Sequence, residues 1–516
     1  MSTETIRTMA VYNVHDFGAS GSKEENAQSA IQQAIDACTA AGGGMVYFPP
    51  GAYTTGTIHL RSHVRIFVEA GATIYSSKDP ASFDKRGLFY GEDLENITLE
   101  GRGTVDGQAE YEWRLSDMQD WYIYPNQVRW EKAGLPLMRA FPTANSIGHL
   151  VLLIRCKDIR ISGLSFVRSP SWTMHPFACE RLVIEGVYIQ TSMKDGVWAD
   201  GIDPDGCKDV RIADCTIETG DDALVFYSSS IYGPPQPCEN ITVTNCRLSS
   251  SSSALKFCDG NLTAIRNVTI DNCVITNSNR GLAFMVFDGG VVENVVFSNM
   301  TVECQCFDWF WWGDSDPLHF NLVQRHEIDP NIDKTKELPV GAIRNVLVRN
   351  VFARGVGACL IHGHPDSLLE NIAIENVRLA IASDPSSPLQ KSGNALTLEN
   401  ARNFRLKDVE IVWETPCSEQ WQSALAVENV QGLTLDGLSA RQAPNGTDAP
   451  AVVLKGINGA LVKNCRAQDG TGTFMNVTGE GTRDIVLWGN DIRAARVPVH
   501  VSGEVNQGAV REGWDG

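Results

Sequence analysis

The stretch WADGIDPDGCKDVRIADCTIETGDDALVFY, residues 198–227, holds three acidic side chains spaced to do chemistry together. Asp200 stands 22 residues before Asp222, and Asp221 is the immediate neighbour of Asp222. A strand-like run lies between the two groups, so they meet only if the chain turns back on itself with nearly that period. Carboxylates brought so close cannot all ionise at their ordinary pKa. Repulsion raises at least one and leaves an acid beside a base in one site.

The element that would bring them together is a repeat. A nine-residue cassette recurs as CKDIRISGL (156–164), CERLVIEGV (179–187), CKDVRIADC (207–215), CENITVTNC (238–246), IRNVTIDNC (265–273), VENVVFSNM (292–300), IRNVLVRNV (343–351) and LENIAIENV (369–377), with further copies at 94–102 and 401–409. Between 156 and 292 the copies start 23 to 31 residues apart, a solenoid-sized period. Apolar, largely β-branched residues alternate within each copy and read as short strands. The pattern predicts an all-β fold, a single-stranded right-handed parallel β-helix forming one domain over residues 1–516, its coils stacked roughly 4.8 Å apart. Identical residues in successive coils would form ladders. Asn240, Asn267 and Asn299, although in sequons, then read as coil corners, and Cys207, Cys215, Cys238, Cys246 and Cys273 as ladder positions. Residues 24–41 show helical spacing through Ala27, Ile31, Ala34, Ile35 and Cys38, which predicts a helix capping the N-terminal end of the stack. Residues 107–149 and 313–340 interrupt the repeat and are expected to be inserted loops walling a cleft.

Aligning the segments that follow each cassette gives columns. Leu224, Leu255, Leu282 and Trp309 share one, and Phe226, Phe257, Phe284 and Trp311 another; both are expected to point inward. By alternation Val225, Lys256, Ala283 and Phe310 point outward, as do Tyr227, Cys258, Met285 and Trp312, flooring a surface beside the acids.

At this point the motifs become specific. SPSWTMHP (169–176), DGIDPDGC (200–207) and TGDDALVF (219–226), set on a repeat of this period, resemble the polygalacturonase family of glycoside hydrolases, family 28, from about residue 11 to about residue 300. The resemblance implies inverting hydrolysis in which Asp221 is the general acid while Asp200 and Asp222 hold and activate the water. Three departures matter. Trp198–Ala199 replaces the family's Asn-Thr, Ser252 stands where its site histidine belongs, and its Arg-Ile-Lys grip on the galacturonate carboxylate falls on Ala283, Phe284 and Met285. With that grip gone, a neutral oligosaccharide trimmed from one end is the expected substrate, and galacturonan hydrolysis the alternative. A uronate lyase or epimerase, or a noncatalytic carbohydrate-binding β-helix, shares the fold and stays open.

Candidate substrate-binding residues are His175, Trp198, Tyr227, Lys256, Arg280, Trp312, Asp314 and Asp316. His175 resembles exo-acting members of the family, although a satisfied core histidine fits equally. Lys256 reads either as a displaced cation or as a neutraliser of the acids. Trp312 could stack on a sugar face, with Asp314 and Asp316 accepting hydroxyls. His362 and His364 lack a third ligand, so no metal is expected, and no cofactor. A formal charge of −19 argues against nucleic acid or an anionic membrane as partner. No secretory leader or membrane-spanning run is evident, which leads to the expectation of a cytoplasmic chain with reduced thiols; a homo-oligomer is compatible with it.

Overall fold

The computed structural model describes residues 10–116, 134, 139–142, 147–257, 260–307, 315–329, 332, 335, 338–384, 393–506 and 508–513. The fold is the expected right-handed parallel β-helix with an N-terminal helix. Two compact units make it up, the first comprising Met1–Ser116, Arg139–Val225 and Ser230–Cys246, the second Asp117–Met138, Phe226–Ser229 and Arg247–Gly516.

In the first unit three parallel ladders climb the coils. The cassettes form one: Glu95–Gly101, Lys157–Ser162, Glu180–Glu185, Lys208–Ala213 and Cys238–Thr244 pair in that order. The second runs through Thr104–Asp106, Ser165–Val167, Tyr188–Gln190 and Thr216–Thr219. The third joins Ile58–His59, Gly87–Glu92, His149–Ile154 and Met174–Phe177, and continues as single bridges from Met174 to Ile202 and from Ile202 to Leu224. That last ladder carries both acid-bearing segments. The capping helix is Gln28–Ala40, shorter than the expected 24–41, and buries Ala30, Ile31, Ala34, Ile35 and Cys38. It starts late because Asn26 is held in a bridge to Thr54 and its side chain accepts from the Gln28 amide at 2.9 Å. Within 107–149, Trp113–Ser116 pairs antiparallel with Arg139–Pro142, and His149 already belongs to a ladder strand, so the insertion ends sooner than expected.

The second unit repeats the scheme with longer strands, among them Val291–Cys304, Ala342–Gly355, Leu369–Ile381 and Leu396–Trp413. Its corners show why the cassette contains Asn. Asn267, Asn294, Asn345, Asn371 and Asn403 all adopt left-handed φ between 54° and 58°. Each amide from Asn294 onward donates to the Asn one coil below at 3.0–3.1 Å. Asn tolerates this conformation better than most residues, and the stacked amides satisfy one another. In the core Phe257 stacks on Phe284 with ring centroids 4.5 Å apart, and Phe284 meets Phe320 at 4.3 Å with the rings tilted by 53°.

Phe320 corrects the sequence register. Leu282 and Phe284 pair with Leu318 and Phe320, nine residues beyond the expected Trp309 and Trp311. The chain makes a long excursion after Cys304 before resuming the ladder, and alignment from the cassette alone could not see it. The stretch 313–340 is thus not simply a loop: it contains the strand Leu318–Leu322 and the helical turn Arg325–Ile328. The outward columns are not an open floor either. Ala283 and Met285 are buried in a cluster with Phe287 and Val323, against which Ile328 packs.

Candidate active site

The acids of the first unit converge. Asp200, Asp221 and Asp222 are all buried, and each offers a carboxylate oxygen within 4.8 Å of the others. Thr191 fastens their two segments together: its hydroxyl accepts from the Gly220 amide at 2.9 Å and donates to the Ala199 carbonyl at 3.0 Å. Gly220 is required by closeness, since a β-carbon there would lie 2.2 Å from the Ser192 carbonyl oxygen. Gly201 is required likewise, 2.2 Å from that of Ala223. The Asp200 carbonyl is held by both the amide and the hydroxyl of Thr173, at 2.9 and 2.7 Å.

Asp221 is aimed by backbone. Its Oδ2 accepts from the Trp198 amide at 3.0 Å and its Oδ1 from the Asp222 amide at 2.9 Å. Trp198 does this from φ 65°, a strained conformation for a bulky residue, of the kind held in place at functional sites. The residue expected to touch substrate thus contributes its main chain to the acid.

Two further carboxylates escaped the sequence reading. Asp203 and Asp205 lie in the same DGIDPDG segment and have no exposed surface. Neither oxygen of Asp203 makes a hydrogen bond of good geometry among the described residues. Burial pushes its carboxyl well above the usual range, an interaction with Asp200 pulls part of the way back, and the charges of Asp222, Asp221 and Asp205 push it up again. These causes together push Asp203 toward its protonated form. Asp205 accepts from His175 Nε2 at 3.3 Å, so His175 is brought to the acid-bearing ladder, although wholly buried. The signal for both was present: in I-D-P-D the acids alternate along a strand-like segment and share a face.

The other candidates divide. Tyr227, Lys256, Arg280 and Asp316 belong to the second unit. There Lys256 pairs in register with Ala283, and Ala283 with His319, so ionisable side chains flank the position from which the family's arginine is missing. Lys256, Arg280 and Asp316 are all buried, and Asp316 binds His319 Nδ1 at 2.7 Å instead of presenting an open wall. His319 was hidden by the register error. Trp312 and Asp314 lie outside the described residues.

Comparison with known proteins decides the family. Residues 38–304 match the family described as glycosyl hydrolases family 28. The chain belongs to this family. It is 29% identical over 235 residues to a probable polygalacturonase of Vitis vinifera, covering 41% of this chain and 43% of that one. A shorter stretch of 118 residues is 38% identical to the mannuronan C5-epimerase AlgE2 of Azotobacter vinelandii, covering 19% of this chain and 12% of that one. The family 28 exopolygalacturonase structure of Yersinia enterocolitica superposes with a TM-score of 0.63 at 18% identity, over 83% of this chain and 79% of that one, a likeness of fold. The chain spans about half or less of the length of these curated relatives.

Proposed function

We propose that this hydrolase cleaves galacturonan fragments from one end with inversion, Asp221 protonating the leaving oxygen while Asp200 and Asp222 activate water. The three buried carboxylates carry this reading. Their spacing is tighter than the roughly 6.5–9.5 Å usual for an acid and base that invert across a sugar. A water hydrogen-bonded to two oxygens at about 2.8 Å each can nevertheless bridge a gap of about 5.5 Å. Oxygens within 4.8 Å therefore suit a water held between Asp200 and Asp222.

The substrate follows the relatives and not the expectation of a neutral sugar. Polygalacturonase is the activity named for the matched plant protein, and the loss of one cationic grip at Ala283 and Met285 does not outweigh it. The short epimerase match favours a second reading, chemistry at C5 of a uronate, which would leave chain length unchanged. Chromatography of trigalacturonate and of a neutral trisaccharide panel after incubation separates these. Release of galacturonate is expected. Cleavage of neutral sugars alone, or exchange at C5 without cleavage, would overturn the proposal.

A further inference from the structure

Beside the acids, and within the first unit, four rings form a box that proton transfer does not use. The ring of His175 lies 4.7 Å from that of Trp172, 5.0 Å from His149 and 5.4 Å from Tyr232, measured between centroids. Thr173, which grips the Asp200 carbonyl, separates Trp172 from the strand bearing His175, so box and acids share one backbone anchor. Trp172 and Tyr232 are only half-buried and form its solvent-facing edge, while His149 and His175 are buried behind them.

The ring nitrogens of its two histidines are fixed except for one. His149 Nδ1 lies 3.2 Å from the Trp172 carbonyl, which can only accept, so Nδ1 carries the proton; Nε2, 3.1 Å from the Tyr232 hydroxyl, accepts. Both nitrogens of His149 are used and its ring is neutral. Burial first, then the neighbouring His175, hold its pKa well below the ordinary value. His175 spends Nε2 on Asp205, and its Nδ1 has no hydrogen-bond partner among the described residues although the side chain is wholly buried. A buried ring nitrogen left unpaired is costly, and a ligand hydroxyl would relieve it.

A cation stands at the rim. The Arg86 carbonyl accepts from the His149 amide at 3.2 Å, and Arg86 Nε is 3.5 Å from where a β-carbon on Gly148 would stand. Its charge adds a little to the lowering at His149, and at Tyr232 it offsets part of the burial that pushes the phenol up. Arg86 is exposed and makes no ion pair among the described residues.

We propose that His149, Trp172, His175 and Tyr232 form a subsite for one pyranose ring, the rings packing its apolar face and His175 Nδ1 meeting a hydroxyl, with Arg86 taking the sugar's carboxylate. The choice of a uronate rests on the galacturonan reading above. Titration calorimetry with D-galacturonate and D-galactose, neither of which has a bond to cleave, tests the subsite apart from hydrolysis. The wild-type protein should prefer galacturonate by about tenfold or more, the size of one charge-assisted contact. Arg86→Gln should abolish that preference by weakening galacturonate alone, and Trp172→Ala should weaken both sugars about tenfold. Absence of binding by the wild-type protein overturns the subsite. So does an intact preference in Arg86→Gln, or wild-type affinity for both sugars in a folded Trp172→Ala. Cleavage of oligogalacturonides can persist with the subsite refuted, and the binding pattern can persist with cleavage refuted.

Discussion

Asp209 and Asp222 lie in the same coil and serve opposite ends. Asp209 sits at a corner, exposed, with left-handed φ 57°, and accepts from the Asn240 amide one coil up at 2.9 Å. It is a rung of a ladder, where a short polar side chain favours the fold. Asp222 is 1% exposed and shares its surroundings with Asp200, Asp203 and Asp221, where each added carboxylate opposes folding. In a β-helix residue type does not announce role; the position in the coil does. Corner acids are bought cheaply in stability, and clustered buried acids persist because chemistry needs them.

The largest effect expected from breaking that contrast is on turnover. Asp221→Asn should lower kcat by about a hundredfold or more, the range for loss of a general acid, while the protein still folds with a modestly lower thermal midpoint, because the new amide group cannot accept one of the two backbone bonds that Asp221 takes. Steady-state kinetics beside calorimetry would show it, and a destabilised variant with full turnover would make Asp221 a structural acid like Asp209.

Next comes a pH effect at Asp203. A carboxyl whose folded pKa lies above its unfolded value binds more protons folded than unfolded. Its contribution to stability therefore falls as pH rises from about 4, the unfolded value, through the folded pKa, and is constant beyond. Asp203→Asn removes that loss, so from about pH 4 up to the raised folded pKa the variant should gain on the wild type by up to about 1.4 kcal/mol per pH unit. Urea unfolding at several pH values measures the gap, and parallel curves would show that Asp203 is ionised in the fold.

Corner substitutions should do less. Asn345, at φ 56°, donates to Asn294 and accepts from Asn371. Asn345→Ala should cost about 1–2 kcal/mol more than Asn345→Gly, because only the alanine is strained in the left-handed region. Equal losses would place the stabilisation in the hydrogen bonds alone. Smallest of all, Asp209→Asn keeps both the corner conformation and an acceptor, and should shift stability by less than about 0.5 kcal/mol with activity unchanged.

Much of this arrangement was legible. The cassettes show strand, corner and column at once: alternation fixed which of Ile159, Ile161, Val210 and Ile212 face inward, and all are buried. The period placed Asp200 against Asp221 and Asp222 because no insertion falls between them. Where an insertion does fall, legibility ends. The segment after Cys304 returns to the ladder only at Leu318, so Trp309 and Trp311 were assigned columns that Leu318 and Phe320 occupy, and His319 went unnoticed. His149 was lost within a stretch read as loop. Asp203 and Asp205 were visible as letters, yet their burial depends on the third ladder, whose bridges at Ile202 and Leu224 are too short to leave a periodic pattern. Trp198 was read for its ring, whereas its amide is what holds Asp221.

Proton NMR of trigalacturonate during the first turnovers tests most directly whether these three carboxylates activate a water. Direct attack by water held between Asp200 and Asp222 predicts that the first-formed galacturonate has the anomeric configuration opposite to that of the bond cleaved, with mutarotation following later. Retained configuration would make one of the carboxylates a nucleophile, and an unsaturated product would make the reaction an elimination; either result contradicts the roles assigned to Asp200, Asp221 and Asp222.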